Sequence, residues 1–226
     1  MTVRRRDPRL AGTIKAAALL VVCWLAGPVT AGGQVLLTGE TGGSGSQAVA
    51  AAVNLISVKD FSTLTNVWAQ YGYGLTDRVD LFAAYGNISV FGETQHYVSV
   101  GSNLGMLQRR RHGLDVSLYN NASIPLTRRN EAAAILVTLA LVASRPVTLG
   151  SLVVTPYGGL EAVVPVGDRA RGVFTPVETL YAGIAGVAVP VHKNWTVFAE
   201  YNPGPTLRSG GVGIAATLPR RQLRTP

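Results

Sequence analysis

The stretch QHYVSVGSNLGMLQRRRHGLDVSLYNNASI, Gln95 to Ile124, decides the fold. In its first half Val98, Val100, Leu104 and Met106 share one face, and Gln95, Ser99, Gly101, Asn103 and Gly105 share the other. After the turn QRRRHG, Leu114, Val116 and Leu118 face one way, while Asp115, Ser117, Tyr119 and Asn121 face the opposite way. Successive side chains of a strand point to opposite sides, so this period-two pattern predicts a hairpin with one apolar and one polar face. Strands of about ten residues with that division suit a transmembrane β-barrel, apolar face to lipid and polar face to the lumen.

Working outward, strand candidates lie near residues 49–57, 64–75, 79–91, 95–107, 114–124, 133–143, 152–164, 178–190, 195–202 and 210–218. Turn chemistry separates them at Thr76-Asp77-Arg78, Gly92-Glu93-Thr94, Gln108 to Gly113, Thr127 to Asn130, Gly167 to Gly172, His192 to Asn194 and Pro203 to Gly210. AAAILVTLALVA, Ala132 to Ala143, has helical composition, but Ile135, Val137, Leu139 and Leu141 alternate with Ala134, Thr138 and Ala140, which predicts a strand. None of the connections is long enough to demand a crossover helix, so neighbouring strands are antiparallel. A meander of this kind removes its exposed edges by closing. The expected fold is all-β, an antiparallel up-and-down transmembrane β-barrel of about 8–10 strands over residues 49–219.

The N-terminus predicts export. Arg4, Arg5, Arg6, Arg9 and Lys15 precede the apolar run AAALLVVCWLAG, and Val29-Thr30-Ala31 supplies small residues for cleavage after Ala31. The run is short for a membrane helix, which needs about 20 residues; an uncleaved anchor is the competing reading. Removing residues 1–31 takes away five basic residues and one acidic residue. That leaves 15 against 11, so a net charge of +8 falls to +4 and a nucleic-acid partner loses much of its basis. The only cysteine, Cys23, leaves as well, so no disulfide framework is expected. Residues 32–48 form a Gly/Ser-rich lead-in that reads as flexible, and residues 220–226 a basic tail. VLLTGETGGSGS superficially resembles a phosphate-binding loop, but Gly45 is followed by Ser46 and Gln47, without the Lys that such a loop places on the phosphates.

YGYGLTDRVDLFAAYG, Tyr71 to Gly86, resembles the strand–periplasmic turn–strand of Gram-negative outer-membrane β-barrels. WTVFAEYNPG followed by SGGVGIAATLP resembles the closing hairpin of such a barrel. The resemblance covers roughly Asn66 to Pro219 and is one of pattern, with no diagnostic motif. It implies a periplasmic route, folding by the outer-membrane insertion machinery, and membrane lipid as the surrounding partner. The chain departs from the usual terminal aromatic residue: Leu218 is followed by PRRQLRTP.

Alternation assigns Asn66, Gln70, Asp80, Ser99, Asn103, Asp115, Ser117, Tyr119, Asn121, Thr155, Tyr157, Glu161, Glu200 and Thr217 to the polar, lumen-facing side. Ionisable groups in strand bodies are acidic, whereas Arg78, Arg109, Arg110, Arg111, Arg128, Arg129, Arg145, Arg169, Arg171 and Arg208 fall in or beside turns. That placement fits the cost of about 2–4 kcal/mol for a basic group facing lipid at the midplane. Two states of the interior are open: an acidic, cation-favouring water path, or a packed interior, since a barrel of about eight strands is just wide enough for side chains to fill. Trp68, Tyr71, Tyr73, Phe91, Tyr97, Tyr181, Trp195 and Tyr201 lie towards strand ends, where rings settle at a membrane interface. Catalysis has little support. His112 and His192 sit in turns, His96 and Ser99 point to opposite faces of a strand, and no GxSxG elbow or ligand cluster suggests a metal or cofactor. The expected role is structural, adhesive or a narrow passive conduit. The alternatives are a secreted soluble barrel holding a small apolar ligand as lipocalins do, with apolar residues inward, or a barrel enzyme acting on outer-membrane lipid.

Overall fold

The computed structural model describes residues 38–58, 63–90, 93–126, 135–166, 179–205 and 207–218. The leader, the basic tail, Phe91 and the turns at 127–130 and 167–172 lie outside them. The strands are β1 (Gln47–Val58), β2 (Thr63–Gly74), β3 (Val79–Val90), β4 (Glu93–Leu107), β5 (Asp115–Pro125), β6 (Ile135–Ser144), β7 (Val147–Leu149), β8 (Leu152–Val166), β9 (Leu180–His192), β10 (Trp195–Asn202) and β11 (Leu207–Leu218). One helical turn, α1 (Arg109–His112), joins β4 to β5. All pairings are antiparallel, and all join sequence neighbours except the closing pair β1–β11 and the pair β6–β8, which leaves β7 as a short hairpin arm on β8. β11 closes on β1 from Gln47↔Leu218 to Val58↔Leu207. The fold is therefore a closed antiparallel ten-strand barrel, whose wall has no free edge apart from the short β7 arm.

The turn QRRRHG shows how local chemistry reverses the chain. Asp115 accepts the Arg109 N–H on Oδ1 at 2.7 Å, satisfying one orphan donor at the start of α1. Gly113, at φ 78°, donates its N–H to the Arg109 carbonyl at 2.8 Å and releases the chain into β5. A register shift between Gly105 and Leu107, opposite Val116, precedes the turn. Leu114 thus belongs to the turn, and β5 begins one residue later than the alternation alone suggests.

Alternation divides every long strand between two environments. Val49, Val53, Val67, Leu81, Val100, Leu139, Leu141, Leu160, Val197, Val212 and Ile214 are exposed outward. Asn66, Ser99, Ser117, Asn121, Thr138 and Glu161 are buried inward. A lipocalin-like barrel, the soluble alternative, has the reverse polarity. Among the described strand residues, Arg208, next to one rim, is the one Lys, Arg, Asp or Glu with an exposed outward side chain.

The two rims differ. The turn rim carries residues 75–78, 108–114, 145–151 and 193–194, and there β1 enters and β11 leaves. The loop rim carries the connections 59–62, 91–92, 126–134, 167–179 and 203–206.

Candidate functional site

Two features define what the barrel can do: a strap across the turn rim and the filling of the interior. The strap is residues 38–46, the described part of the lead-in. It is pinned rather than free. The Gly39 N–H donates to Ser144 Oγ at 2.9 Å, Thr41 Oγ1 to the Asp77 carbonyl at 2.9 Å, and the Gly42 N–H to Asp80 Oδ2 at 2.9 Å. The Ser44 N–H donates to Asp77 Oδ1 at 3.2 Å, and Gly45 and Ser46 exchange backbone bonds with Gly74 at 2.7 and 2.9 Å. These partners sit at the ends of β6, β3 and β2, so the segment crosses part of the rim before entering β1. Glycine permits the approach: a Cβ on Gly39 would collide with the Asp115 carbonyl, and one on Gly74 with the Gly43 carbonyl. The Glu40 carboxyl is held above the ordinary carboxylate value, first by burial and then by the Asp115 charge, against the lowering influence of Arg109 and Arg110.

The interior is filled by rings and hydrogen-bonded polar groups. Phe82 and Tyr119 stack with centroids 5.0 Å apart, and Trp68 and Phe198 at 6.4 Å. The rings lie over glycines on neighbouring strands. Phe82↔Gly101, Gly86↔Tyr97, Tyr157↔Gly186 and Phe198↔Gly213 are all direct cross-strand pairs. At each of these glycines a Cβ would strike the partner's ring. Part of the glycine content therefore makes room for aromatic side chains laid along the inner wall. Around them Tyr97 donates its hydroxyl to Asn66 Oδ1 at 3.0 Å, and Tyr157 donates to Glu200 Oε2 at 3.1 Å. Ser99 and Ser123 share a hydroxyl bond at 2.8 Å, and Asn121 Nδ2 donates to Ser123 Oγ at 3.2 Å. With its amide oxygen turned inward, Asn54 accepts the Trp68 indole N–H at 2.8 Å.

All the lumen-facing candidates fall on the inner parity of their strands. Asn66, Gln70, Ser99, Asn103, Asp115, Ser117, Tyr119, Asn121, Tyr157 and Glu161 are buried, Asp80, Thr155 and Glu200 are partly buried, and Thr217 is exposed near the turn rim. The structure gathers Asp80, Asn103 and Asp115 beneath the strap, Asn103 Nδ2 reaching the Glu40 carbonyl at 3.5 Å. It gathers Tyr157 and Glu200 into one hydrogen bond, and leaves Thr155 and Thr217 towards the rim. Two residues of the expected interfacial belt are corrected. Trp68 and Tyr97 point inward and are buried, because they share parity with Asn66, Gln70 and Ser99. Tyr71, Tyr73 and Trp195 do form an outward aromatic set near the turn rim, and Tyr85, Tyr181 and Tyr201 another towards the loop rim. Sequence reading missed Asn54, Phe82, Phe198 and their glycine partners. The parity was present in the sequence; the cross-strand register was not. The described arginines, Arg78, Arg109, Arg110, Arg111, Arg145 and Arg208, are all exposed.

No family model matches the sequence, and no curated protein matches it. Among solved structures, the chain is similar to the β-domain of the Bordetella autotransporter BrkA, at 12% identity and a TM-score of 0.47, over 77% of this chain and 100% of that one. It is similar to the N-terminal β-barrel domain of Pseudomonas aeruginosa OprF, at 12% identity and a TM-score of 0.34, over 78% and 99%. It is also similar to Ail, the attachment invasion locus protein of Yersinia pestis, at 13% identity and a TM-score of 0.24, over 76% and 97%. At these values none of the likenesses transfers a site, a partner or an activity to this chain.

Proposed function

We propose that this chain is an outer-membrane β-barrel with a structural or adhesive role, a filled anchor rather than an open conduit. The observation that carries the proposal is the pairing of an apolar outer wall, bounded by two outward aromatic sets, with an interior occupied by stacked rings. An aqueous surface would leave that wall as a very large exposed apolar patch. The longest connections, 126–134 and 167–179, are on the loop rim. Short periplasmic turns and longer outer loops then put the turn rim and its strap in the periplasm. Export would use the N-terminal signal, and insertion the outer-membrane assembly machinery. The proposal assigns no catalytic step, cofactor or metal.

The filled interior argues against the conduit. Phe82, Tyr119, Tyr157 and Trp68 are buried inside the barrel with Phe198 packed against them, and the strap covers part of one mouth. Planar-bilayer recording of the inserted protein tests this. The filled anchor predicts a quiet baseline, whereas stable, reproducible conductance steps would contradict it.

A further inference from the structure

The turn rim carries positive charge around its circumference. Each connection between neighbouring barrel strands on that rim has an exposed cation: Arg78 between β2 and β3, Arg109, Arg110 and Arg111 between β4 and β5, Arg145 between β6 and β8, and Lys193 between β9 and β10. Two exposed carboxylates lie at this end, Asp77, which accepts the strap's Ser44 N–H, and Glu40, which feels Arg109 and Arg110, so the six cations outnumber them. Beside each cation stands an exposed apolar side chain. Leu75 accompanies Arg78; Met106, Leu107 and Leu114 accompany the arginine triplet; Val147 and Leu149 accompany Arg145; Val191 and Trp195 accompany Lys193.

We propose that this ring of turn cations binds the headgroups of anionic phospholipids, phosphatidylglycerol being the simplest, in the leaflet around the turn rim. The inference rests on the membrane reading above. Its distribution is the argument. A single protein or polymer docking from the periplasm needs its contacts on one side, whereas lipids surround the barrel and can occupy every turn. An apolar residue next to a cation is also how a chain sits at a membrane boundary, its stem in the acyl region and its charged head at the phosphates. Arginine supplies forked donors that match phosphate oxygens. Five of the six cations are arginines.

The test is lipid retention. The full chain is inserted into phosphatidylcholine vesicles with or without about one third phosphatidylglycerol, extracted in mild detergent, and the co-purifying lipid quantified. Wild type is expected to retain phosphatidylglycerol over phosphatidylcholine, and raised salt to weaken that preference. Two triple variants divide the ring: R109Q/R110Q/R111Q, and the dispersed R78Q/R145Q/K193Q. Each is expected to lose part of the enrichment, and the combined variant at least about tenfold. Loss confined to the Arg109–Arg111 triplet would overturn the ring in favour of one-sided docking, and unchanged enrichment in the combined variant would overturn headgroup binding altogether. Heat-modifiable folding in pure phosphatidylcholine is read in parallel for every variant. If wild type fails to insert there, the membrane reading fails; if all variants insert and retain lipid alike, only the ring fails.

Discussion

At the residue scale, the interior is organised by pairs of one aromatic and one glycine, packed with aliphatic side chains such as Val142 and Ile184. Tyr157 and Gly186 are the cleanest case, since the three atoms nearest to a Cβ on Gly186 all belong to the Tyr157 side chain. Gly186→Ala is expected to destabilise the folded barrel by about 1–3 kcal/mol, the usual cost of overpacking. The same substitution in a Tyr157→Ala background should cost measurably less, because the colliding ring is gone; the urea midpoint of the folded band reads both. Equal costs in the two backgrounds would mean that the ring does not rest on the glycine. Half of this arrangement is legible in the sequence. Trp68 lies two residues from both Asn66 and Gln70, so parity alone places it inside. That Phe82 meets Gly101 and Tyr157 meets Gly186 is not legible, because a one-residue change of register would part every pair.

At the element scale, the strap turns a Gly/Ser-rich segment into a fixed cover. Composition predicts flexibility there because glycine and serine offer no apolar face to bury, and the sequence does not reveal which strand ends will accept the segment's hydrogen bonds. Gly39→Ala is expected to unseat it, since the Asp115 backbone leaves no room for a methyl. Faster hydrogen exchange at the amides of Gly42, Ser44 and Gly45, with the barrel amides unchanged, would record this. The raised pKa of Glu40 makes a pH prediction. Its charged form is the disfavoured one in the seated strap, so the strap is tightest where Glu40 is protonated and loosens as pH rises through its elevated pKa. Glu40→Gln is therefore expected to slow exchange in the strap at neutral pH and to make no difference well below the ordinary carboxylate pKa. Faster exchange in the variant at neutral pH would show that the carboxylate helps to hold the strap. By contrast, the strands themselves are legible almost to their ends. β10 spans Trp195–Asn202 as the alternation predicts, and the Ile135–Ser144 run is a strand despite its helical composition.

At the scale of the whole molecule, closure and polarity act together. The full-length pairing of β11 with β1 removes the edges, and alternation then sends apolar side chains out and rings, amides and acids in. The class follows from alternating segments between turns, which bound the strand number at about 8–10 without fixing it. Whether the space inside stays open does not follow, because it depends on how bulky inward side chains meet across the barrel. The account turns on the outer wall being lipid-facing, and fractionation of cells producing the full chain tests that most directly, with gel mobility compared before and after heating. The account predicts recovery in the outer-membrane fraction and a compact band that shifts on boiling. A monodisperse, detergent-free protein in the periplasm or medium would contradict it.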